Sequence, residues 1–298
     1  MQSLRTSPYL QMVLATILFA LMGVCVKTAS AHFGTAAVVG ARGIVGLIMM
    51  AVMAWVAQVD LRTAVPWLHV KRGLAGVIAL SMWFYVMGHL PLATSVTLNY
   101  MSSIWVAVFL GLTVWWTKQG SLDRRVVLAI AVGFVGVALV LHPTIEREQW
   151  LAGVMGLGSG MLSAIAYIQV TALGRAGEPE IRVVFYFSLM GSVLGVLFNT
   201  LPGAGNPSAW SDIPLAAWLA LLGVGAFATI AQVLMTRAYA RGSMLVVANL
   251  QYLGIVHAGL LGFFLFGEAL HADGLLGMAL IIGSGMASTR FKPASTSR

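Results

Sequence analysis

A chain of 298 residues with 59% hydrophobic and only 9% charged side chains cannot clothe a water-soluble globule, because such surfaces carry about a quarter charged residues. Lipid demands no charged surface, so the composition places the chain in a membrane. The formal net charge of +8 is not gathered into a basic face interleaved with aromatics, which argues against nucleic acid as a partner; one cysteine, Cys25, excludes a disulfide framework and a thiolate metal centre.

Ten apolar segments follow one another, at 9–31, 34–57, 69–88, 92–116, 126–142, 151–173, 183–201, 214–236, 243–266 and 274–289. Most approach the roughly 20 residues a helix needs to cross hydrocarbon. The first is long enough to span and is followed by others, so it reads as a span rather than a cleaved leader; no lipidation motif is apparent. All nine prolines fall in the breaks or at segment ends, as the cost of proline inside a helix requires. The runs are continuous rather than alternating, which excludes barrel strands.

The basic residues orient these spans. With the N-terminus inside, fourteen of the Lys and Arg side chains, Arg62, Lys71 and Arg72 among them, fall on the cytoplasmic side, against Arg147 alone outside. Lys27 and Arg42 lie within segments. That asymmetry predicts an inner-membrane protein with cytoplasmic termini.

An internal repeat is also present. Leu98-Asn99-Tyr100-Met101 in segment four matches Leu250-Gln251-Tyr252-Leu253 in segment nine, and each opens a long apolar run followed by a short Gly-bearing segment. Five spans per repeat is an odd number, so the halves, 1–145 and 146–298, lie in opposite orientations. Inverted repeats with a site between them are a common transporter plan.

On these features, with Arg42 early in segment two and Leu265-Phe266-Gly267-Glu268-Ala269-Leu270 closing segment nine, the chain resembles the drug/metabolite transporter superfamily of EamA type. Within it, it is similar to the bacterial exporters of aromatic amino acids. The first half departs from the closing Gly-Glu, with Trp115-Trp116 at the matching place, and the usual prolines of helices 4 and 9 are missing near Ser103 and Ile255. The resemblance implies an all-α integral membrane fold, ten transmembrane helices around a central cavity, exporting metabolites from the cytoplasm.

Polar groups at membrane depth must be paired or face water, so they mark candidates for the cavity wall. Segment three carries Ser81, Tyr85 and His89 on one face, flanked by Trp83 and Phe84. Segment four carries Ser95 and Asn99, then Trp105; segment six Ser159, Ser163, Tyr167 and Thr171; segment eight Thr229, Gln232 and Thr236; segment nine Asn249, Tyr252 and His257. The expected substrate wall is Trp83, Tyr85, Asn99, Trp105, Tyr167, Gln232, Asn249, Tyr252 and His257. Ser and Asn stripes serve equally as bonds between helices. Arg42 either binds a substrate carboxylate or pins neighbouring carbonyls, and the resemblance favours the latter. Gly156 with Gly160, and Gly191 with Gly195, read as packing pairs.

With only Arg42 and Lys27 inside, and neither clearly central, the interior suits a neutral or zwitterionic solute, an amino acid with an aromatic or other apolar side chain moved by alternating access. Nucleobases and other aromatic metabolites fit nearly as well. No span has a central Asp or Glu, so flux is expected to follow the solute gradient, with His89 and His257 the only substitutes for a proton relay. No metal or cofactor motif is present, and neither a membrane-embedded nucleophile nor a charged pore filter supports an enzyme or a channel. A monomer in the lipid bilayer suffices.

Overall fold

The computed structural model describes residues 7–117, 124–141, 149–201, 213–242, 247, 250–269 and 271–290. Among them the chain forms eleven helices and no strand. They are α1 Pro8–Ser30, α2 Thr35–Val56, α3 Pro66–His89, α4 Leu92–Tyr100, α5 Ser102–Thr117, α6 Arg124–Leu141, α7 Trp150–Arg175, α8 Glu180–Asn199, α9 Leu215–Arg241, α10 Leu253–Phe266 and α11 Ala272–Arg290. Six of these, α1, α2, α3, α7, α8 and α9, are long and apolar enough to cross a membrane, and α10 and part of α11 are shorter apolar helices.

Local chemistry sets the helix ends. Pro8 and Pro66 open α1 and α3, where a missing N–H costs nothing and the fixed φ suits a first turn. Pro91, Pro179 and Pro214 precede α4, α8 and α9 in extended conformation. Gly267 closes α10 with φ 63° and ψ 24°, a left-handed cap that glycine adopts without Cβ strain. Segment four is not one helix, as expected, but two, parted at Met101; segment nine is likewise parted at Tyr252. Both residues keep near-helical angles. The two interruptions fall on the repeated Leu-Asn-Tyr-Met and Leu-Gln-Tyr-Leu strings, so the repeat is structural as well as textual.

The helix pairs obey a twofold that exchanges the halves. The most extensive contacts are α2 with α8, α6 with α11, α1 with α9, and α3 with α7. Exchanging α1 with α7, α2 with α8, α3 with α9, and α6 with α11 maps the first two pairs onto themselves and the third onto the fourth. This pairing agrees with the expected two-repeat plan. The segment joining the halves, residues 142–148, lies outside the described residues.

At the α2–α8 crossing the backbones touch. A Cβ on Gly43 would lie 2.6 Å from the carbonyl carbon of Gly191, and one on Gly195 would overlap the Gly40 backbone. Glycine alone permits such an approach. Outward, the helices expose Trp55, Trp67, Trp150, Leu215 and Phe264, which suits lipid and its interfaces.

Candidate functional site

The α2–α8 crossing places the first element of the site. Phe187, Gly191 and Gly195 recur at i, i+4, i+8 along α8 and so share a face. Where Gly43 of α2 meets Gly191, the preceding Arg42 is carried over Phe187, its guanidinium carbon 4.7 Å from the ring centroid. Arg72 of α3 lies over the same ring at 4.2 Å. Both arginines are 4% exposed.

These two side chains open onto a central cavity of about 50 Å³, where one water needs roughly 10–15 Å³. Phe19 and Met22 of α1, Leu80 and Trp83 of α3, and Asn99 and Tyr100 of α4 line it. Ser163 and Tyr167 of α7, Gln232 and Met235 of α9, and Gln251 complete the wall. Both repeats therefore contribute.

Hydrogen bonds fix several of these groups. Asn99 Nδ2 donates to Ser159 Oγ at 3.2 Å and to Ser163 Oγ at 3.1 Å, binding α4 to α7. Tyr239 donates to Gln251 Oε1 at 3.0 Å, and Gln251 Nε2 donates to the Tyr167 oxygen at 3.3 Å. Tyr167 and Tyr239 stack with centroids 6.3 Å apart. Trp83 Nε1 donates to the Ser95 carbonyl at 3.1 Å.

The arginines differ from all of these. Neither donates a hydrogen bond to any described residue, and Arg42 Nε, Arg72 Nε and Arg72 Nη1 are buried without an acceptor. Among the described residues no carboxylate lines the cavity. The described acids sit elsewhere: Asp60, Glu178 and Glu180 near the starts of α3 and α8, Glu268 and Asp273 in and after the turn closing α10. A guanidinium stays charged in any protein environment, so the cavity wall holds two positive charges whose contact among the described residues is the Phe187 ring.

Of the expected wall, the structure brings Trp83, Asn99, Tyr167 and Gln232 together with Arg42. Four others face elsewhere. Tyr85 lies two positions past Trp83, on the other side of α3, and stacks on His89 at 4.0 Å. Trp105 is turned away from Asn99 and meets Phe134 of α6 edge-on at 5.6 Å. Tyr252, one position beyond Gln251, is rotated by about 100° into the apolar core. His257 Nδ1 sits 3.4 Å from Thr16 Oγ1 between α10 and α1. Asn249 lies outside the described residues.

Arg72, counted among the cytoplasmic-side basic residues and not among the wall candidates, lies in the second turn of α3, which starts at Pro66, three residues before the expected boundary; it is buried and lines the cavity. A signal existed in the sequence. Gly76 follows one turn later, and a Cβ there would overlap Arg72 Nη1 and lie 2.9 Å from Phe187; the glycine makes the berth for the guanidinium. The missed residues Tyr100 and Gln251 are the repeat's own polar pair, each one step from a residue that was chosen or weighed.

Lys27 is paired at one end of the molecule. Its Nζ binds Glu268 Oε1 and donates to the Leu90 carbonyl at 3.3 Å, while Glu268 Oε2 accepts the Leu92 N–H at 2.8 Å. At the other end of α3, buried His69 Nε2 donates to Glu178 at 3.0 Å. Glu178 also accepts from Thr63 and from Arg182 at 3.1 Å. Burial works to raise the Glu178 carboxyl, but these bonds and the Arg182 charge outweigh it and hold it below the usual carboxylate range.

Comparison with known proteins agrees with this architecture. The model of the EamA-like transporter family matches residues 6–142 and again 150–289. A pseudopaline exporter of Pseudomonas aeruginosa is 30% identical over 294 residues, covering 97% of this chain and 98% of its own. A riboflavin transporter of Vibrio cholerae is 23% identical over 279 residues, 92% of this chain and 89% of its own. An S-adenosylmethionine uptake transporter of Rickettsia bellii is 22% identical over 241 residues, 79% and 77%. A solved crystal structure, 20% identical, superposes with a TM-score of 0.67 over 95% of this chain and 97% of that one, showing the same fold. With its family matched twice, once per repeat, the chain belongs to the EamA-like transporter family: it is a multi-pass membrane transporter of small metabolites and not an enzyme.

Proposed function

We propose that this transporter exports carboxylate-bearing metabolites, amino acids and compounds of amino-acid type with an aromatic or other apolar side chain, by alternating access across the bacterial inner membrane. The observation that carries this reading is the Arg42 guanidinium, buried at the cavity wall with no acid beside it. A substrate carboxylate supplies the missing acceptor, and a charge-assisted pair of that kind is among the stronger polar contacts. Trp83, Tyr100 and Tyr167 offer aromatic rings to an aromatic side chain, worth about 0.5–1.5 kcal/mol per pair beyond area. The amides of Asn99, Gln232 and Gln251 serve the remaining polar atoms.

The outward direction rests on the pseudopaline exporter being similar over nearly its whole length. Orientation rests on the basic residues, which place both termini in the cytoplasm. The repeats are assigned to 1–145 and 146–298, and a single chain furnishes the whole cavity wall, so a monomer suffices.

The test is uptake and counterflow in liposomes with labelled phenylalanine, tyrosine, leucine, nucleobases, riboflavin and S-adenosylmethionine. Saturable flux of the amino acids, lost in Asn99→Ala with normal membrane insertion, supports the reading. Flux of nucleobases or riboflavin alone moves it to the second reading, export of aromatic metabolites, which the aromatic wall favours.

A further inference from the structure

The second arginine asks more of the substrate than one carboxylate. Arg42 and Arg72 come from different helices, yet both guanidiniums lie over the one ring of Phe187, at 4.7 and 4.2 Å from its centroid. Each is 4% exposed. Each has buried N–H groups without an acceptor, and neither donates a hydrogen bond to a described residue. Among the described residues no acid lines the cavity they share.

Like charges placed so close repel, and burying each one alone is unfavourable. A zwitterionic amino acid brings one carboxylate and an ammonium. Its carboxylate neutralises one guanidinium, and its ammonium adds a third positive charge to the same small space. The donor set is different in kind from a site that matches a zwitterion. It presents two forks, each able to hold a carboxylate bidentately, and no anionic side chain to receive an ammonium.

Resting on the carboxylate reading above, we infer that the preferred substrate is a dicarboxylate, with one acid group on Arg42, the other on Arg72, and an apolar or aromatic portion directed toward Trp83 and Tyr167. Phe187 is the positioning residue that keeps the two forks side by side. Gly76 gives the Arg72 fork its room.

The test uses matched probes with the purified full-length chain. 3-Phenylpropanoate and benzylsuccinate share a benzyl group and differ by one carboxylate; phenyl phosphate carries its charge on a single group. Binding is read from tryptophan fluorescence and from inhibition of counterflow in liposomes. Benzylsuccinate is expected to bind roughly tenfold tighter than 3-phenylpropanoate, or more, as one added charge-assisted contact implies. Arg72→Gln should shrink that difference by weakening benzylsuccinate several-fold more than 3-phenylpropanoate; Arg72→Lys should restore part of it.

Equal affinity of the two probes in the wild type overturns the inference while leaving carboxylate export standing. So does Arg72→Gln weakening both alike, since that marks a structural arginine. Phenyl phosphate binding above benzylsuccinate overturns it in favour of a single dianionic group. Failure of phenylalanine and every carboxylate probe, with nucleobases bound, brings down the broader reading as well.

Discussion

Arg72 lays its guanidinium across Gly76, one turn onward in the same helix, in space that a methyl group would fill. The arginine therefore reaches Phe187 only because residue 76 lacks a side chain. Since the worst overlap is with the far end of the flexible Arg72 side chain, and the Phe187 ring edge at 2.9 Å needs only a small shift, Gly76→Ala is expected to insert and fold. Its Arg72 fork, pushed off the ring, should bind dicarboxylates roughly tenfold more weakly or worse, the worth of about one charge-assisted contact. Normal expression with unchanged benzylsuccinate affinity would show that Arg72 has no part in binding.

Gly267 and Glu268 act as a unit. The left-handed glycine ends α10 and returns the chain so that Glu268 meets Lys27 and the Leu92 N–H. Gly262 leaves the room that this carboxylate enters. The pair joins α1 of the first repeat to the end of α10 in the second. Glu268→Gln keeps the shape and removes the charge, and is expected to lower stability by about 1.5–3 kcal/mol, as for a hydrogen bond to a charged group. Thermal unfolding in detergent measures this. Gly267→Ala, which strains the cap by the backbone alone, should lower it too, even with Glu268 intact.

The fold was largely legible because lipid imposes a simple code. Long apolar runs, prolines at breaks and the Leu-Asn-Tyr-Met echo are enough to count spans and pair halves. The site was legible only by helix, not by face. Asn99 and Trp83 were found, but Trp105, Tyr85 and Tyr252 were chosen from faces that turn away, since uniformly apolar helices carry too little periodicity to show which side is inward. Arg72 was missed for another reason. Counting arginines near segment ends presumes that they lie in water, and Arg72, near the start of segment three, is instead buried against the cavity. The ion pair of Lys27 with Glu268 was not legible either, because the partners are distant in sequence.

The cluster at the other end of α3 should respond to acid. The Glu178 carboxyl is held below its usual range by His69, Thr63 and Arg182 despite burial. A group whose folded pKa is depressed adds stability above its unfolded value, about 4.3 for glutamate, and loses it as pH falls through the folded value. Glu178→Gln is therefore expected to lower the unfolding temperature at neutral pH, and the gap from wild type should close below about pH 4. A gap that persisted into strong acid would mean that the contact is steric rather than ionic.

The basic-residue asymmetry predicts where the chain ends. A reporter fused after Arg298 should give its cytoplasmic signal, and one inserted near Arg147 its periplasmic signal. A periplasmic signal at the C-terminus would break the ten-span topology.

The site's charges also predict how transport is driven. No acid lines the cavity, and neither candidate relay faces it: His89 stacks on Tyr85, and His257 lies against Thr16. With no acid or histidine in the cavity wall among the described residues, collapsing a pH gradient across liposomes should leave flux unchanged. The two arginines are fixed to their helices, so a dicarboxylate leaving the cell takes its net negative charge with it. An inside-negative potential then favours export by about 2.3 kcal/mol per charge for each 100 mV. Outward flux of benzylsuccinate from liposomes loaded with potassium should accordingly rise when valinomycin sets the interior negative, while flux of a neutral zwitterion should not. Accumulation driven by a proton gradient at zero potential would overturn this picture and direct attention to His257 as the relay.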